Sequence, residues 1–308
     1  MRDIFFNTLT EHAQKNKNII LLVADIGFKV IDRFKSVNPK QFFNVGIAEQ
    51  NMAGIATGLA LSGKKVFCYS IANFTTLRSI EHIRNGACYH NLDIKFVSGG
   101  SGYSYGSLGY SHHAIEDLAI MRSLPNMTVL SPSSDDEIDY ITKYLCKNDN
   151  KPTYLRIDKS KISTPLEHKK IRSIIIPRPI IKEKDEDVII LSTGGILNEA
   201  KEAVNYVKKI GIKCTIYSVF NLSFICKKFL KKIENKKILI IEETIKENGL
   251  FHFIRDNLEN NNIYSISINK NNIYYYAGTQ QHIRNKQKIS KPHIIKKIQY
   301  LYKQKCIY

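Results

Sequence analysis

The side chains that could do chemistry fall in a few places. Glu49 is the lone carboxylate in 43–63, which reads FNVGIAEQNMAGIATGLALSG. An acid in a helix's first turn complements the helix dipole. An acid heading an otherwise apolar helix can also hold or hand over a proton. On this stretch alone both readings stand. Ser111-His112-His113 closes a glycine-rich loop that begins at Gly99. Such a pair could ligate a metal, sit hydrogen-bonded in a core, or act on substrate. The run H-H-x-x-E-D, with Glu116 and Asp117, lacks the H-E-x-x-H arrangement, and no metal site is expected from it. The loop 99–109 matches neither G-x-G-x-x-G nor the P-loop pattern. It suits an active-site loop at the carboxyl ends of parallel strands, with a plain surface loop as the alternative. Arg78 and Arg84 share one helical stretch, and Arg156 ends the strand-like run Thr153–Ile157. A guanidinium at a strand's carboxyl end is placed to bind an anion. Glu242-Glu243 also ends such a run but has no local histidine, so it receives no role.

The elements that must position these groups alternate in type. Apolar runs at 19–24, 66–69, 94–97, 128–131 and 153–157 read as buried parallel strands. Helical patterns at 3–15, 76–90, 114–123 and 134–147 lie between them. The helix carrying Glu49 is smooth, because Ala53, Gly54, Ala56, Thr57, Gly58 and Ala60 leave little bulk. It is expected to be buried, with Gly63 as its stop. Internal glycines cost a helix roughly 0.5–1 kcal/mol each against alanine, so Gly54 and Gly58 need a packing reason. The rhythm breaks at 160–187, a charged stretch with Pro165, Pro177 and Pro179, where one short strand or hairpin is expected at 174–176. A second series follows, with strands at 188–192, 214–219, 238–242 and 265–268 and helices at 197–209, 249–257 and 290–302. The fold class is therefore α/β, two doubly wound domains with mostly parallel sheets. The expected boundaries are 1–160 for the first domain, 161–186 for a linker and 187–308 for the second.

A chain of 308 residues with 43% hydrophobic content has room for two filled cores. No apolar run approaches the ~20 residues that span a membrane, and the N-terminus lacks a signal-peptide design. The six cysteines are scattered, without C-x-x-C, and read as reduced thiols of a cytoplasmic protein. The net charge of +18 raises the question of nucleic acid. The excess is mostly lysine spread through the chain, which reads as solvated faces. Neither a nucleic-acid nor a membrane partner is expected, and the field would favour an anionic substrate such as a sugar phosphate.

Taken together these stretches resemble the transketolase family, in its pyrimidine-binding and carboxy-terminal domains. Residues 44–52, NVGIAEQNM, resemble the segment with the family's catalytic glutamate. Residues 70–74, SIANF, resemble its aromatic pyrimidine pocket. Residues 111–117, SHHAIED, are similar to its T-H-Q-x-x-E/D segment, and 121–129, MRSLPNMTV, to its R-x-x-P-N lead-in. The similarity extends over 188–195 and 238–249 in the second domain. The family's diphosphate-binding domain, with its G-D-G motif, has no counterpart here. The resemblance therefore implies one half of a split transketolase. An N-terminal partner subunit would bring the diphosphate site and most of the Mg²⁺ coordination, and self-association would give an α2β2 assembly.

The resemblance also implies roles. Thiamine diphosphate would be the cofactor. Glu49 would bond N1′ of its pyrimidine, favouring the tautomer that deprotonates thiazolium C2, and an apolar pocket would help the two share a proton. Phe74 would stack on the pyrimidine and Ile71 would line its pocket. His112 would act on substrate oxygens, with His113 beside it at the substrate. Arg156 would bind the acceptor's phosphate, and Arg78 would lie near the substrate channel. Leu108 stands where transketolases proper carry an aspartate that recognises the donor, and Gly100 where they carry a phosphate-contacting histidine. Both departures imply a different sugar, such as a modified or nucleotide-linked one. The alternatives are the β subunit of a 2-oxo-acid dehydrogenase, which shares the two domains, and a non-catalytic stabilising partner.

Overall fold

Short β-branched and aromatic runs form two sheets. The computed structural model describes residues 1–158, 171–259 and 262–304. The first sheet contains β1 (Ile19–Val23), β2 (Phe42–Asn44), β3 (Lys65–Ile71), β4 (Ile94–Gly99), β5 (Thr128–Leu130) and β6 (Thr153–Ile157). Their order is β2-β1-β3-β4-β6-β5, and every pairing is parallel. Burial of β1, β4, β5 and β6 along their full lengths explains why these strands read as unbroken apolar runs rather than alternating ones. The second sheet contains β7 (Arg178–Ile181), β8 (Val188–Ser192), β9 (Cys214–Ser218), β10 (Ile238–Ile245) and β11 (Ile263–Ile268), in the order β11-β10-β8-β9-β7. Only β7 runs antiparallel, against β9. Both units are α/β with mostly parallel sheets.

The strand expected at 174–176 lies instead at Arg178–Ile181. Pro179 has no N–H to give a ladder, and β7 accordingly takes a sheet edge. Ile175 is docked rather than free, since its carbonyl accepts from Cys226 N at 2.8 Å. Pro165, Cys306 and part of the expected linker lie outside the described residues.

The two sheets are joined by backbone hydrogen bonds. Ser131 N donates to Phe220 O at 2.8 Å, Leu222 N to Val129 O at 2.9 Å and Ile245 N to Ile115 O at 2.9 Å. Arg122, from the R-x-x-P-N stretch, adds its side chain to this seam. Its Nε donates to Leu222 O at 3.0 Å, and its Nη1 donates to Asn248 Oδ1 and Gly249 O, both at 2.9 Å. Met121, Leu124 and Tyr154 of the first unit share one apolar cluster with Ile189, Leu191 and Tyr217 of the second.

The helix Glu49–Leu61 is only half buried, contrary to expectation. Glu49, Met52, Ala53 and Ala56 face inward, at helical spacing. Gly54, Ile55, Gly58 and Leu61 face outward. A Cβ on Gly54 or Gly58 would meet nothing within 4 Å, so nothing among the described residues supplies the packing reason their sequence demands. Gly63 ends the helix as expected, with φ +83°.

Candidate functional site

Glu49 is delivered to the carboxyl end of the first sheet by the turn after β2. Asn44 ends that strand, and its Oδ1 accepts from Asp25 N at 3.1 Å and Gly46 N at 3.0 Å. Its Nδ2 donates to Asp25 Oδ1 at 2.9 Å. Gly46 takes φ +74°, a conformation that favours glycine, and the helix starts three residues later. This brace lies beside β1, where the order of the sheet reverses, the usual place for a ligand crevice in such folds.

Glu49 is 3% exposed, and both carboxylate oxygens are engaged. Ser70 Oγ, near the end of β3, donates to Oε1 at 2.8 Å. Arg78 Nη1 donates to Oε2 at 3.1 Å. The surroundings are therefore polar at this point, not the apolar pocket expected from the sequence. Arg78 also lies over the ring of Phe74, with its guanidinium carbon 3.9 Å from the centroid. A cation–π contact of this kind contributes roughly 0.5–1 kcal/mol where solvent is near. The helical stretch expected at 76–90 starts two residues earlier and includes π-type turns at Phe74–Arg78 and Ile83–Cys88. Positions 74 and 78, four apart, share one helix face, and such wider turns recur at functional sites.

His112 approaches from the glycine loop. Its ring is 5.1 Å from that of Phe74 at 67°. Its Nδ1 lies 3.0 Å from Ser111 Oγ. Asn73 Nδ2 donates to Ser111 O at 2.7 Å, which ties the loop to the turn carrying Phe74. Ile71 ends β3 opposite Gly99 of β4, at the same end of the sheet. Glu49, Ile71, Phe74, Arg78 and His112 thus share one end of the sheet.

His113 and Arg156 do not join them. His113 is turned into the interior. Its ring packs edge-on to Tyr103 at 4.9 Å, and its Nε2 is 3.4 Å from Gly106 O. Burial lowers its pKa, which keeps the ring neutral. Arg156 is 2% exposed and committed inside. Its Nε faces Asp117 Oδ2 at 2.9 Å. Its Nη2 donates to Ala114 O at 2.6 Å and to Glu243 O at 3.1 Å. Tyr154 Oη donates to the same Asp117 oxygen at 2.7 Å. The expected roles of Arg156 at an acceptor's phosphate and of His113 at substrate thus have no exposed side chain to carry them in this subunit: Arg156 is 2% and His113 1% exposed.

Glu242 and Glu243 are structural. Glu242 accepts from Leu250 N at 2.6 Å and Ser267 Oγ at 2.9 Å, capping the helix Leu250–Asn257. Burial pushes its pKa up to about 7. Glu243 receives Arg284 Nη2 at 2.5 Å and Tyr103 N at 3.2 Å, which fastens the glycine loop to the second unit. The two departures on the substrate side are also visible. A Cβ on Gly100 would lie 2.1 Å from Tyr105 Cε2, so the Tyr105 ring fills the place a side chain would take. Leu108 is exposed.

Sequence reasoning did not single out Asp25, Asn44 or Ser70. Each lies at a strand's end on the site's side of the sheet, and that position was the available signal. Among the described residues no three His, Cys, Asp or Glu side chains gather to hold a metal. No helix among them is long and apolar enough to cross a membrane.

Residues 1–164 match the transketolase pyrimidine-binding domain, and residues 179–294 match the transketolase C-terminal domain. The chain belongs to the transketolase family. It is 33% identical over 263 residues to the transketolase C-terminal section of Methanocaldococcus jannaschii, covering 81% of this chain and 83% of that protein. It is 27% identical to a subunit of the apulose-4-phosphate transketolase of Phocaeicola vulgatus, covering 84% of each. Among solved structures it superimposes on a split-gene transketolase in an inactive β4 tetramer, with TM-score 0.84, 27% identity and coverage of 98% of this chain and 97% of that one. Campylobacter jejuni transketolase shares the fold, with TM-score 0.81 at 15% identity, and this chain spans 46% of its length.

The residues present fit the pyrimidine half of the family's cofactor. A flat cation with N–H donors already fits between Glu49 and Phe74, since the Arg78 guanidinium touches both. A protonated aminopyrimidine offers the same two features, a donor for the carboxylate and a face for the ring.

Proposed function

We propose that this chain is the pyrimidine-binding subunit of a two-subunit, thiamine-diphosphate-dependent transketolase that moves a two-carbon ketol unit between sugars. The observation that carries the reading is the pairing of a buried, oriented Glu49 with the face of Phe74 at the carboxyl end of the first sheet. The N-terminal partner subunit would hold the diphosphate and most of the Mg²⁺ shell. The apulose-4-phosphate transketolase relative, itself one subunit of its enzyme, and the split-gene structure support that division, and the latter's β4 tetramer supports self-association; an α2β2 assembly would combine the two.

Bound thiamine diphosphate supplies the nucleophilic carbon that accepts the ketol unit. This chain's residues control the proton and the geometry. Ser70 fixes one oxygen of Glu49, leaving the other to share a proton with the pyrimidine's ring nitrogen. Phe74 gives that ring a wall, and Ile71 lines the pocket. His112, held at the rim by the Asn73–Ser111 bond, hydrogen-bonds substrate oxygens. Arg78, once off Glu49, would add positive charge to the path of an anionic substrate. The exposed Leu108 and the space taken by Tyr105 change the substrate side, which favours a modified sugar.

The test is calorimetric. Thiamine diphosphate with Mg²⁺ is titrated into this chain alone and into its mixture with the diphosphate-binding subunit. Tight binding in the mixture only is expected, with at most the weak affinity of the pyrimidine half for this chain alone, followed by ketol transfer between sugars. Tight binding by this chain alone would contradict the division of the site. Lipoyl-dependent acyl transfer by the pair would make it a 2-oxo-acid dehydrogenase instead.

A further inference from the structure

We infer that Arg78 is a built-in stand-in for the cofactor's pyrimidine: its guanidinium occupies the seat between Glu49 and Phe74 and must leave before a ring can enter. The inference rests on the thiamine reading above. Two contacts define the seat, the 3.1 Å hydrogen bond to Glu49 Oε2 and the 3.9 Å approach to the Phe74 centroid. Those are the contacts an aminopyrimidine would need. A guanidinium is flat, delocalised and edged with N–H donors, so it reproduces both the stacking face and the donor edge. A lysine ammonium would reproduce neither the plane nor the fork.

The surroundings suit a group that comes and goes. The Arg78 side chain is 48% exposed, while Glu49 is buried. Glu49 is its one ion-pair partner among the described residues. Ser70 keeps hold of the other Glu49 oxygen, so the carboxylate stays aimed when Arg78 departs. The π-type turn Phe74–Arg78 sets the arginine directly beside the ring it covers. Once displaced, the same side chain stands at the rim next to His112 and adds positive charge to the approach. One arginine thus satisfies a buried carboxylate in the empty subunit and lines the entry in the loaded one. A buried carboxylate without a partner is costly, and the stand-in removes that cost before assembly.

The test uses the full chain and the aminopyrimidine half of thiamine, 4-amino-5-hydroxymethyl-2-methylpyrimidine, as probe. Affinity is measured by calorimetry for the wild type, Arg78→Met and Arg78→Lys. The Arg78 Nε–H resonance of the wild type is followed in parallel. A seat blocked nine-tenths of the time weakens apparent affinity about tenfold, so Arg78→Met should bind about tenfold tighter. Arg78→Lys should fall between. The Arg78 resonance should carry a ring-current shift that disappears as the probe saturates the wild type, a readout that needs no variant to fold. Equal or weaker binding by Arg78→Met, no binding by any form, or an Arg78 resonance unchanged at saturation would each overturn the inference. Glu49→Gln added to Arg78→Met separates the two readings. Undiminished binding there would sink Glu49 as the pyrimidine's partner, while the gain from Arg78→Met would still identify Arg78 as the occupant.

Discussion

Arg78 and Arg156 look alike in the sequence, each an arginine on an element of the first unit expected to meet an anionic substrate, yet the fold treats them in opposite ways. Arg156 is sealed in the seam between the two units, where Asp117, Ala114 O and Glu243 O take its donors. Arg78 is half exposed and rests on one carboxylate and one ring. The difference shows that a charge becomes structural when its partners are many, buried and partly backbone. It stays available when its partners are few and solvent can replace them.

The largest effect should appear at the carboxylate that Arg78 touches. Glu49→Gln in the assembled enzyme should lower kcat by about 10²–10⁴-fold, the range for losing a positioned proton donor or acceptor. Unchanged turnover would leave this chain as a scaffold. On the other side of the contrast, Arg156→Met strands Asp117 in the interior. Urea unfolding should show a loss of about 3–5 kcal/mol, as for other buried pairs deprived of one member. Arg156→Met unfolding no more easily than wild type would break the contrast outright. Gly100→Ala tests the loop between them. Its φ of +87° and the Tyr105 ring both oppose a Cβ, and thermal melts should report a loss of about 1–3 kcal/mol.

A gentler probe uses Glu242. Its folded pKa is about 7, against an ordinary 4.5, so the folded state holds a proton that the unfolded chain releases earlier. Its contribution is fully present below about pH 4.5 and is lost as the pH rises through about 7. Glu242→Gln should flatten stability across that window, measured by denaturation at a series of pH values. A slope the same as wild type would show that other groups set it. The smallest effect should come from Arg78→Met, within about 1 kcal/mol of wild-type stability, because Arg78 itself is half exposed, so water can take its place at Glu49 while Ser70 holds the other carboxylate oxygen. A loss comparable to that of Arg156→Met would erase the distinction between the two arginines.

Much of the fold is legible in the sequence. The apolar strand runs and their spacing carry the α/β class, because a strand buried on both faces must be apolar throughout. Glu49 and Phe74 are legible as a pair through their motifs. Burial of individual polar side chains is not. Arg156 lies at the carboxyl end of a strand and reads as an anion binder, but Asp117 and backbone carbonyls from both units close around it. His113 differs from His112 by one position, and that step turns it from the rim to the interior. The outward face of Gly54 and Gly58 is legible only in part: the smooth pattern asks for close packing, which the family resemblance places at a subunit interface, and does not itself say by which chain. The strand at Arg178–Ile181 is displaced from its expected place because the apolar triplet at 174–176 outweighs, in the sequence, an edge position that tolerates proline.

The seam between the sheets has a consequence for time. Backbone bonds such as Ser131–Phe220 and Ile245–Ile115, with Arg122 spanning them, hold the units against each other. Domain closure belongs to the microsecond-to-millisecond range, whereas an exposed side chain reorients in picoseconds to nanoseconds. Within this subunit, then, the clock for admitting a ligand is that of a swinging side chain and not of a closing jaw.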